Sequence, residues 1–353
     1  MDGYAVRSAS LASEGGGRRR LRVTARSFPG DARARRVSLD PGSAVEIFTG
    51  AALPPGADAV VRSEDCRRVG RWVVLDRPVP AGRNVARRGE DFRPGRTIVR
   101  ANGTVRPWHL AALVANEVAT IRVHARPRVG LLSTGSELED PHAALRPGRT
   151  RDSAKPLLRS MLLELGAVPI DLGVVPDREP SIRSRLREGL RKCDLVVTTG
   201  GTSVGARDRV PAAVGGLRGA RWIAHRLCLR PGSSTRVATV ARRPVFLLSG
   251  PPVAAFAAFL ALVEPLLRDA GARPVPSRGT VSAVLAERVA HRHGVREMVR
   301  VRLFRRAGTP RAAVVERHGA ARLSSLTGAD GLLILEEGHG DYRKGARVPI
   351  LLL

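Results

Sequence analysis

The chain of 353 residues is poor in lysine, cysteine and aromatic side chains, and each shortage closes off a class of function. Only Lys155, Lys192 and Lys344 are lysines among 60 basic residues; the others are arginine. Against 32 acidic residues this gives a formal charge of +28, a field that attracts anions. A nucleic-acid surface should also group its cations and offer bases something to stack on. Here the arginines run through the whole chain, with one dense run at 18–20, and aromatics make up 3%. The reading is therefore a compositional bias toward arginine: no specific nucleic-acid partner, and anionic small molecules as the ligands the charge favours. Trp72, Trp108 and Trp222 are scattered and read as packing residues.

Cys66, Cys193 and Cys228 are far apart and form no CxxC pair. That excludes a disulfide framework and a cysteine zinc site, and fits a reducing, cytoplasmic compartment. The opening residues do not read as a signal peptide. The most apolar stretch, 253–267, is broken by Glu264 and Pro265 and is too short to span a bilayer. It reads as a core helix, with no membrane partner.

What is present is 43% apolar residues punctuated by 37 glycines and 25 prolines, enough for two or three domains with short turns. Residues 1–91 alternate short apolar runs with Gly/Pro breaks and read as a β-rich domain. Residues 92–126 hold a helix-like run, 107–116, and a strand-like run, 120–123. From 127 to 273 strand-like and helix-like segments alternate. Strands are expected at 128–132, 168–174, 194–198, 222–229, 235–240 and 244–248, and helices at 153–165, 180–193, 209–217 and 252–267. Such alternation predicts an α/β fold with a doubly wound, mostly parallel sheet. Residues 274–353 return to short strands and read as a small β-barrel or sandwich.

In an open parallel sheet, ligands bind beyond the carboxyl ends of the strands. Three loops of the α/β segment fall there: 133–139, 198–208 and 249–253. In the second, Gly200, Gly201 and Gly205 let backbone approach a ligand closely. Thr199, Thr202 and Ser203 offer hydroxyls, free N–H groups can face an anion, and the carboxylate of Asp208 suits Mg²⁺ between phosphate oxygens. The loop has neither the Lys-Ser/Thr of a P-loop nor GxGxxG spacing. On residues alone it is either an oxyanion site or a glycine-rich strand-to-helix turn. His291 and His293 form an HxH without a third ligand nearby and read as surface histidines.

The loop TTGGTSVGARD (198–208) resembles the signature of the molybdopterin-binding domain shared by the MogA, MoaB and MoeA proteins and gephyrin. Seven further segments are similar to the MoeA family in the same order: MDGYAV (1–6), IFTGAALPPGADAVV (47–61), NVARRGED (84–91), LSTGSEL (132–138), LRPG (229–232), REMVRVRL (296–303) and RLSSLTGADGLLIL (322–335). The resemblance implies a molybdopterin molybdotransferase of molybdenum cofactor biosynthesis. Such an enzyme binds adenylated molybdopterin, releases AMP with Mg²⁺, and inserts metal from molybdate into the dithiolene. It implies an α/β MogA/MoaB-like domain at 127–273, a domain II-like β-rich domain at 1–91, a remnant of an elongated dimerisation domain at 92–126, and a C-terminal barrel at 274–353. Catalytic positions carried over by motif are Asp2, Thr49, Glu137 and Asp208, with Glu137 and Asp208 holding the metal ion; Asp91 also matches. Binding positions are Ser133, Thr134, Asp152, Gly200, Gly201, Thr202, Ser203, Gly205, Arg230, Gly232, Gly250 and Pro252, with Arg300 and Ser325 on the barrel toward molybdate. The family's site forms at a homodimer interface, so Asp2 and Thr49 would act on a neighbouring chain.

The sequence departs from the family at several of these places. Relatives carry residues ahead of MDGYAV, which leads one to expect a loosely held Asp2. KPGKP is RPGSS here (230–234), PGNPVS is SGPPVA (249–254) and DSN is DSA (152–154). These changes fall on the molybdate side, so pterin-nucleotide binding is expected to persist while metal insertion is weakened or altered. Two other readings stay open. One is a MogA-like molybdopterin adenylyltransferase, although such proteins consist of the α/β domain alone; the other is a non-catalytic paralogue that binds the pterin nucleotide.

Overall fold

The computed structural model describes residues 1–11, 18–31, 36–139, 144–202, 209–270, 278–315 and 319–353. The chain divides into two units, Met1–Glu117 and Val118–Leu353.

The first unit is built on six strands: β1 (Gly3–Val6), β2 (Arg19–Ser27), β3 (Ser43–Ile47), β4 (Ala59–Arg62), β5 (Cys66–Val69) and β6 (Trp72–Leu75). They form one mixed sheet in the order β4-β1-β3-β2-β6-β5. Strand β1 is buried along its whole length because apolar clusters cover both of its faces. Tyr4 and Val6 pack with Leu21, Val73 and Leu75 on one side, and Ala5 packs with Val45, Ile47 and Val60 on the other. The antiparallel register sets Gly3 opposite Ile47, which brings Asp2 beside the residues that follow β3. Asp2 is thus not loosely held. Its carboxylate accepts two hydrogen bonds from Thr49, and its carbonyl accepts one from the Ser63 N–H.

Helix α1 (Pro107–Ala115) starts with proline at its first position, where no N–H is needed, and leaves Trp108, Leu110 and Val114 exposed. The strand expected at 120–123 does not form. Ile121 and Val123 are exposed and find no strand to pair with among the described residues, and β-propensity without pairing does not make a strand.

The second unit opens with β7 (Arg128–Thr134), followed by a two-stranded ladder of β8 (Leu138–Glu139) and β9 (Thr150–Arg151). Then come α2 (Ala154–Glu164), β10 (Val168–Val175), α3 (Glu179–Lys192), β11 (Leu195–Thr199), α4 (Val210–Gly215), β12 (Ala220–Ala224), β13 (Leu229–Arg230), β14 (Arg236–Val240) and β15 (Arg243–Leu248). The sheet order is β10-β7-β11-β15-β14-β12. Its first four strands are parallel, and β14 and β12 add antiparallel pairs. This is the expected doubly wound α/β fold. The 158, 161, 162, 165 spacing buries Leu158, Met161, Leu162 and Leu165 against one face of the sheet, while Ile182 and Leu186 of α3 cover the other.

The apolar stretch after β15 forms α5 (Pro252–Ala258), a π-turn over Phe259–Val263 and α6 (Glu264–Asp269). Pro265 sits inside this continuous run, where its missing N–H and bulky ring are incompatible with a regular α ladder; the π-turn just before it relieves the mismatch. Buried Glu264 is matched by Arg268 at 2.7 Å and Arg278 at 3.4 Å, so its carboxylate charge is compensated within the core.

Strands β16 (Thr280–Leu285), β17 (Arg296–Arg306), β18 (Thr309–Val314), β19 (Gly331–Leu335) and β20 (Arg347–Leu352) close into a five-stranded barrel, with the short helix α7 (Ser324–Thr327) before β19. Strand β13 does not join the α/β sheet. It pairs in parallel with β17, matching Leu229 to Arg296 and Arg230 to Glu297. Met298 and Leu332 of the barrel pack into the same apolar cluster as α2 and α5. Among the described residues no helix is long and apolar enough to cross a membrane.

Candidate functional site

The carboxyl ends of β7, β11 and β15 open into one cavity of about 980 Å³. Its α/β wall carries Thr134, Glu137, Asp152, Gly200, Gly201, Thr202, Gly250 and Pro252. Arg230, Gly232, Ser233 and Ser234 come from β13 and the turn after it; Glu297, Arg300, Ala320 and Ala321 come from the barrel.

Backbone geometry accounts for the glycines of the β11 loop. Gly200 has φ +84°, and a Cβ there would lie 2.2 Å from the Thr134 carbonyl oxygen. At Gly201 (φ +61°) a Cβ would meet a Val210 methyl at 2.7 Å. Any side chain would push the loop off its neighbours. Ser203, Gly205 and Asp208, expected in the same loop, lie outside the described residues.

Beneath this wall runs a buried polar chain. The Thr199 hydroxyl donates to Ser133 Oγ at 3.2 Å, and the Ser133 hydroxyl donates to Asp152 Oδ2. Asp152 Oδ1 accepts the Lys155 backbone N–H at 3.1 Å, at the start of α2. The Lys155 ammonium lies 3.9 Å from Asp152 and 3.0 Å from Asp171. Ser133 therefore stands behind the cavity surface rather than on it, and orients Asp152. Glu137 is exposed, and its carboxylate is unpaired among the described residues. Asp177, also on the wall, accepts the Ser136 N–H at 3.0 Å.

The barrel wall is built around Arg300, which is 2% exposed. Its Nε donates to Ser325 Oγ at 3.3 Å and its Nη1 to the Met298 carbonyl at 3.1 Å, while the buried Nη2 has no partner among the described residues. Burial lowers its pKa, and the negative charge of Glu297 works against that fall. Ser325 lies behind Arg300, and its hydroxyl donates to the Arg322 carbonyl at 2.8 Å. An unpartnered guanidinium N–H in a cavity wall is costly unless a ligand takes it up.

At the third loop, Pro251 and Pro252 bring no N–H groups, and the amides of Val253 and Ala254 donate to the Ala320 carbonyl at 3.0 and 3.3 Å. The barrel thus caps α5, and these amides are not open to an anion. Hydroxyls cluster beside them: Ser234 and Ser249 lie 2.6 Å apart, with Thr202 at 3.5 Å from Ser234.

Asp2 and Thr49 pair with each other in the first unit, and Asp91 is exposed in the same unit. Asp177 and Glu297 line the cavity without having been singled out from sequence. Glu297 owes its place to pairing with a residue 67 positions away. The His291 side chain does not face solvent as expected: it is fully buried within a partly exposed residue, with Nε2 3.0 Å from the Glu336 carbonyl. No group of three or more His, Cys, Asp or Glu side chains suited to a metal ion occurs among the described residues.

Fold and site together define a molybdopterin-binding type of α/β domain carrying its own barrel. A family model described as "Probable molybdopterin binding domain" matches residues 130–269. The MoeA N-terminal region (domain I and II) matches 1–116, and the MoeA C-terminal region (domain IV) matches 282–353. The molybdopterin molybdenumtransferase of Bacillus subtilis is 31% identical over 356 residues, covering 100% of this chain and 82% of the relative. Molybdopterin molybdenumtransferase 2 of Mycobacterium tuberculosis is 31% identical, covering 99% and 87%. The crystal structure of the molybdopterin biosynthesis moea protein from Pyrococcus horikosii superposes with a TM-score of 0.79 at 29% identity, covering all of this chain and 86% of that one. The chain belongs to the MoeA family.

Proposed function

We propose that the chain is a molybdopterin molybdenumtransferase acting late in molybdenum cofactor biosynthesis. It takes adenylated molybdopterin and molybdate, releases AMP, and leaves the metal in the dithiolene. One observation carries this reading: a single cavity holds glycine-rich strand-end loops on one wall and, on the facing wall, a buried Arg300 with an N–H that has no partner among the described residues. The first wall suits a pterin and its phosphates; the second suits a small oxyanion. The reaction needs the two held in contact more than it needs a nucleophile.

In this reading Asp152, held by Ser133 and the α2 amide, accepts N–H groups of the pterin. Thr134, Gly200, Gly201, Thr202, Ser203, Gly205 and Gly250 form the phosphate cradle, and Gly232 with Pro252 shapes its rim. Arg230 and Arg300, the latter backed by Ser325, take molybdate. Oxygen donors fit a hard cation that keeps waters and phosphates as its other ligands. Glu137 and Asp208 would hold Mg²⁺, which would neutralise phosphate charge. Asp2 and Thr49 serve the site of a neighbouring copy in a homodimer, and the reaction belongs in the cytoplasm. The domain scheme that goes with this reading is a β-rich domain at 1–91, a dimerisation remnant at 92–126, a pterin domain at 127–273 and a barrel at 274–353.

The test uses the full chain with adenylated molybdopterin, molybdate and Mg²⁺, following AMP release and activation of a cofactor-free molybdoenzyme. Arg300→Met is expected to leave pterin-nucleotide binding intact and to lower molybdate-dependent activation by about 10²-fold, as removal of a buried oxyanion donor does elsewhere. ATP-dependent adenylylation of molybdopterin in place of AMP release would overturn the proposal in favour of the adenylyltransferase reading. Nucleotide binding without turnover would overturn it in favour of a non-catalytic one.

A further inference from the structure

Glu297 is a cavity carboxylate that meets one arginine of the cavity wall and acts on a second. Its Oε1 lies 3.6 Å from Arg230 Nε, a contact set by the β13–β17 register, and its charge also bears on Arg300. From behind, its Oε2 lies 3.9 Å from Nδ1 of His291, whose side chain is buried. His291 is itself fixed: its Nε2 faces the Glu336 carbonyl, which can only accept a hydrogen bond, and its backbone N–H donates to Asp341 at 2.8 Å. The two partners in the 3.6 Å contact differ in freedom. The Glu297 side chain is 14% exposed and the Arg230 side chain 67% exposed, so Glu297 stays in place while Arg230 can turn toward a ligand.

We infer that Glu297 is a positioning residue that holds Arg230 until an oxyanion displaces it, and that its fixed negative charge keeps the cavity's grip on that anion weak. This rests on the proposal that the cavity takes an oxyanion. An incoming dianion has to break the Arg230–Glu297 pair and then remain close to a carboxylate that is largely buried in the cavity wall. Like charges several ångströms apart in a partly desolvated site repel strongly enough to cost about ten- to hundredfold in affinity. The arrangement suits an anion that must be handed on rather than stored, because tight binding of the reactant alone does not accelerate its conversion.

The experiment measures sodium molybdate binding to the full chain by equilibrium dialysis for wild type, Glu297→Gln and Glu297→Asp, with thermal unfolding as a check on folding. Glu297→Gln keeps the shape and removes the charge. It is expected to bind molybdate at least about tenfold more tightly and to lower the KM for molybdate, with Glu297→Asp between it and wild type. A gain in affinity cannot come from a damaged fold. Equal or weaker binding by a folded Glu297→Gln overturns the inference while leaving the oxyanion reading standing. If Glu297→Gln does not fold, Glu297→Asp decides on the same criterion. If neither wild type nor the variants bind molybdate, the oxyanion reading falls and takes this inference with it.

Discussion

The carboxylate of Asp2 accepts both the backbone N–H and the hydroxyl of Thr49, at 2.8 and 2.9 Å. Both bonds favour the charged form and hold its pKa below the ordinary aspartate range, the backbone bond most strongly. The stabilisation this gives is fully present above the ordinary aspartate value and is lost as pH falls through the lowered one. Thr49→Val removes the hydroxyl and keeps the N–H. Carboxyl NMR titration is expected to show the Asp2 pKa rising part of the way back. An unmoved titration would show that the hydroxyl contributes nothing.

Gly200 and Gly250 approach each other across the cavity floor but differ in tolerance. A Cβ at Gly200 would overlap the Thr134 carbonyl oxygen at 2.2 Å, on a backbone with φ +84°. At Gly250 the nearest atom to a Cβ is the Gly200 Cα, at 3.4 Å. Gly200→Ala is therefore expected to cost roughly 2–4 kcal/mol in urea unfolding, and Gly250→Ala less than about 1 kcal/mol. Similar costs at the two positions would show that neither the left-handed backbone nor the Thr134 carbonyl constrains residue 200.

Ser233 is exposed on the cavity wall, three residues after Arg230, where the family pattern places a lysine. Ser233→Lys is expected to raise molybdate affinity several-fold, more at low salt than at high salt. Equal affinity across a salt series would mean that the missing cation at this position does not limit oxyanion binding.

The α/β core was legible in the sequence because its signals are local. The 158, 161, 162, 165 spacing marks the buried face of α2, and short apolar runs ending in glycine-rich loops mark β7, β11 and β15. The loops at those strand ends pointed to Thr134, Gly200 and Gly250, and all three line the cavity. What was not legible depends on contacts between distant segments. Glu297 reaches the cavity because β17 pairs with β13, and His291 is buried because the segment around Glu336 closes over it. The capping of α5 by Ala320 is likewise a contact between distant parts of the chain, a loop of the barrel and a helix of the α/β domain. The strand expected at 120–123 failed for the opposite reason: its local pattern was suitable, but no partner strand met it among the described residues.

Strand β13 leaves the domain that contains it in sequence and pairs with the first residues of β17 in the neighbouring barrel, while the barrel returns the Ala320 carbonyl to the first turn of α5. Each body therefore supplies backbone partners that the other lacks. Cutting the chain between α6 and β16 would deprive Arg296 and Glu297 at the start of β17 of their β13 partners and leave the α5 amides uncapped, so neither half is a finished module. The two walls of the cavity cannot be exchanged piecemeal between relatives. A chimera that swaps the barrel alone would have to carry the segment 227–235 with it.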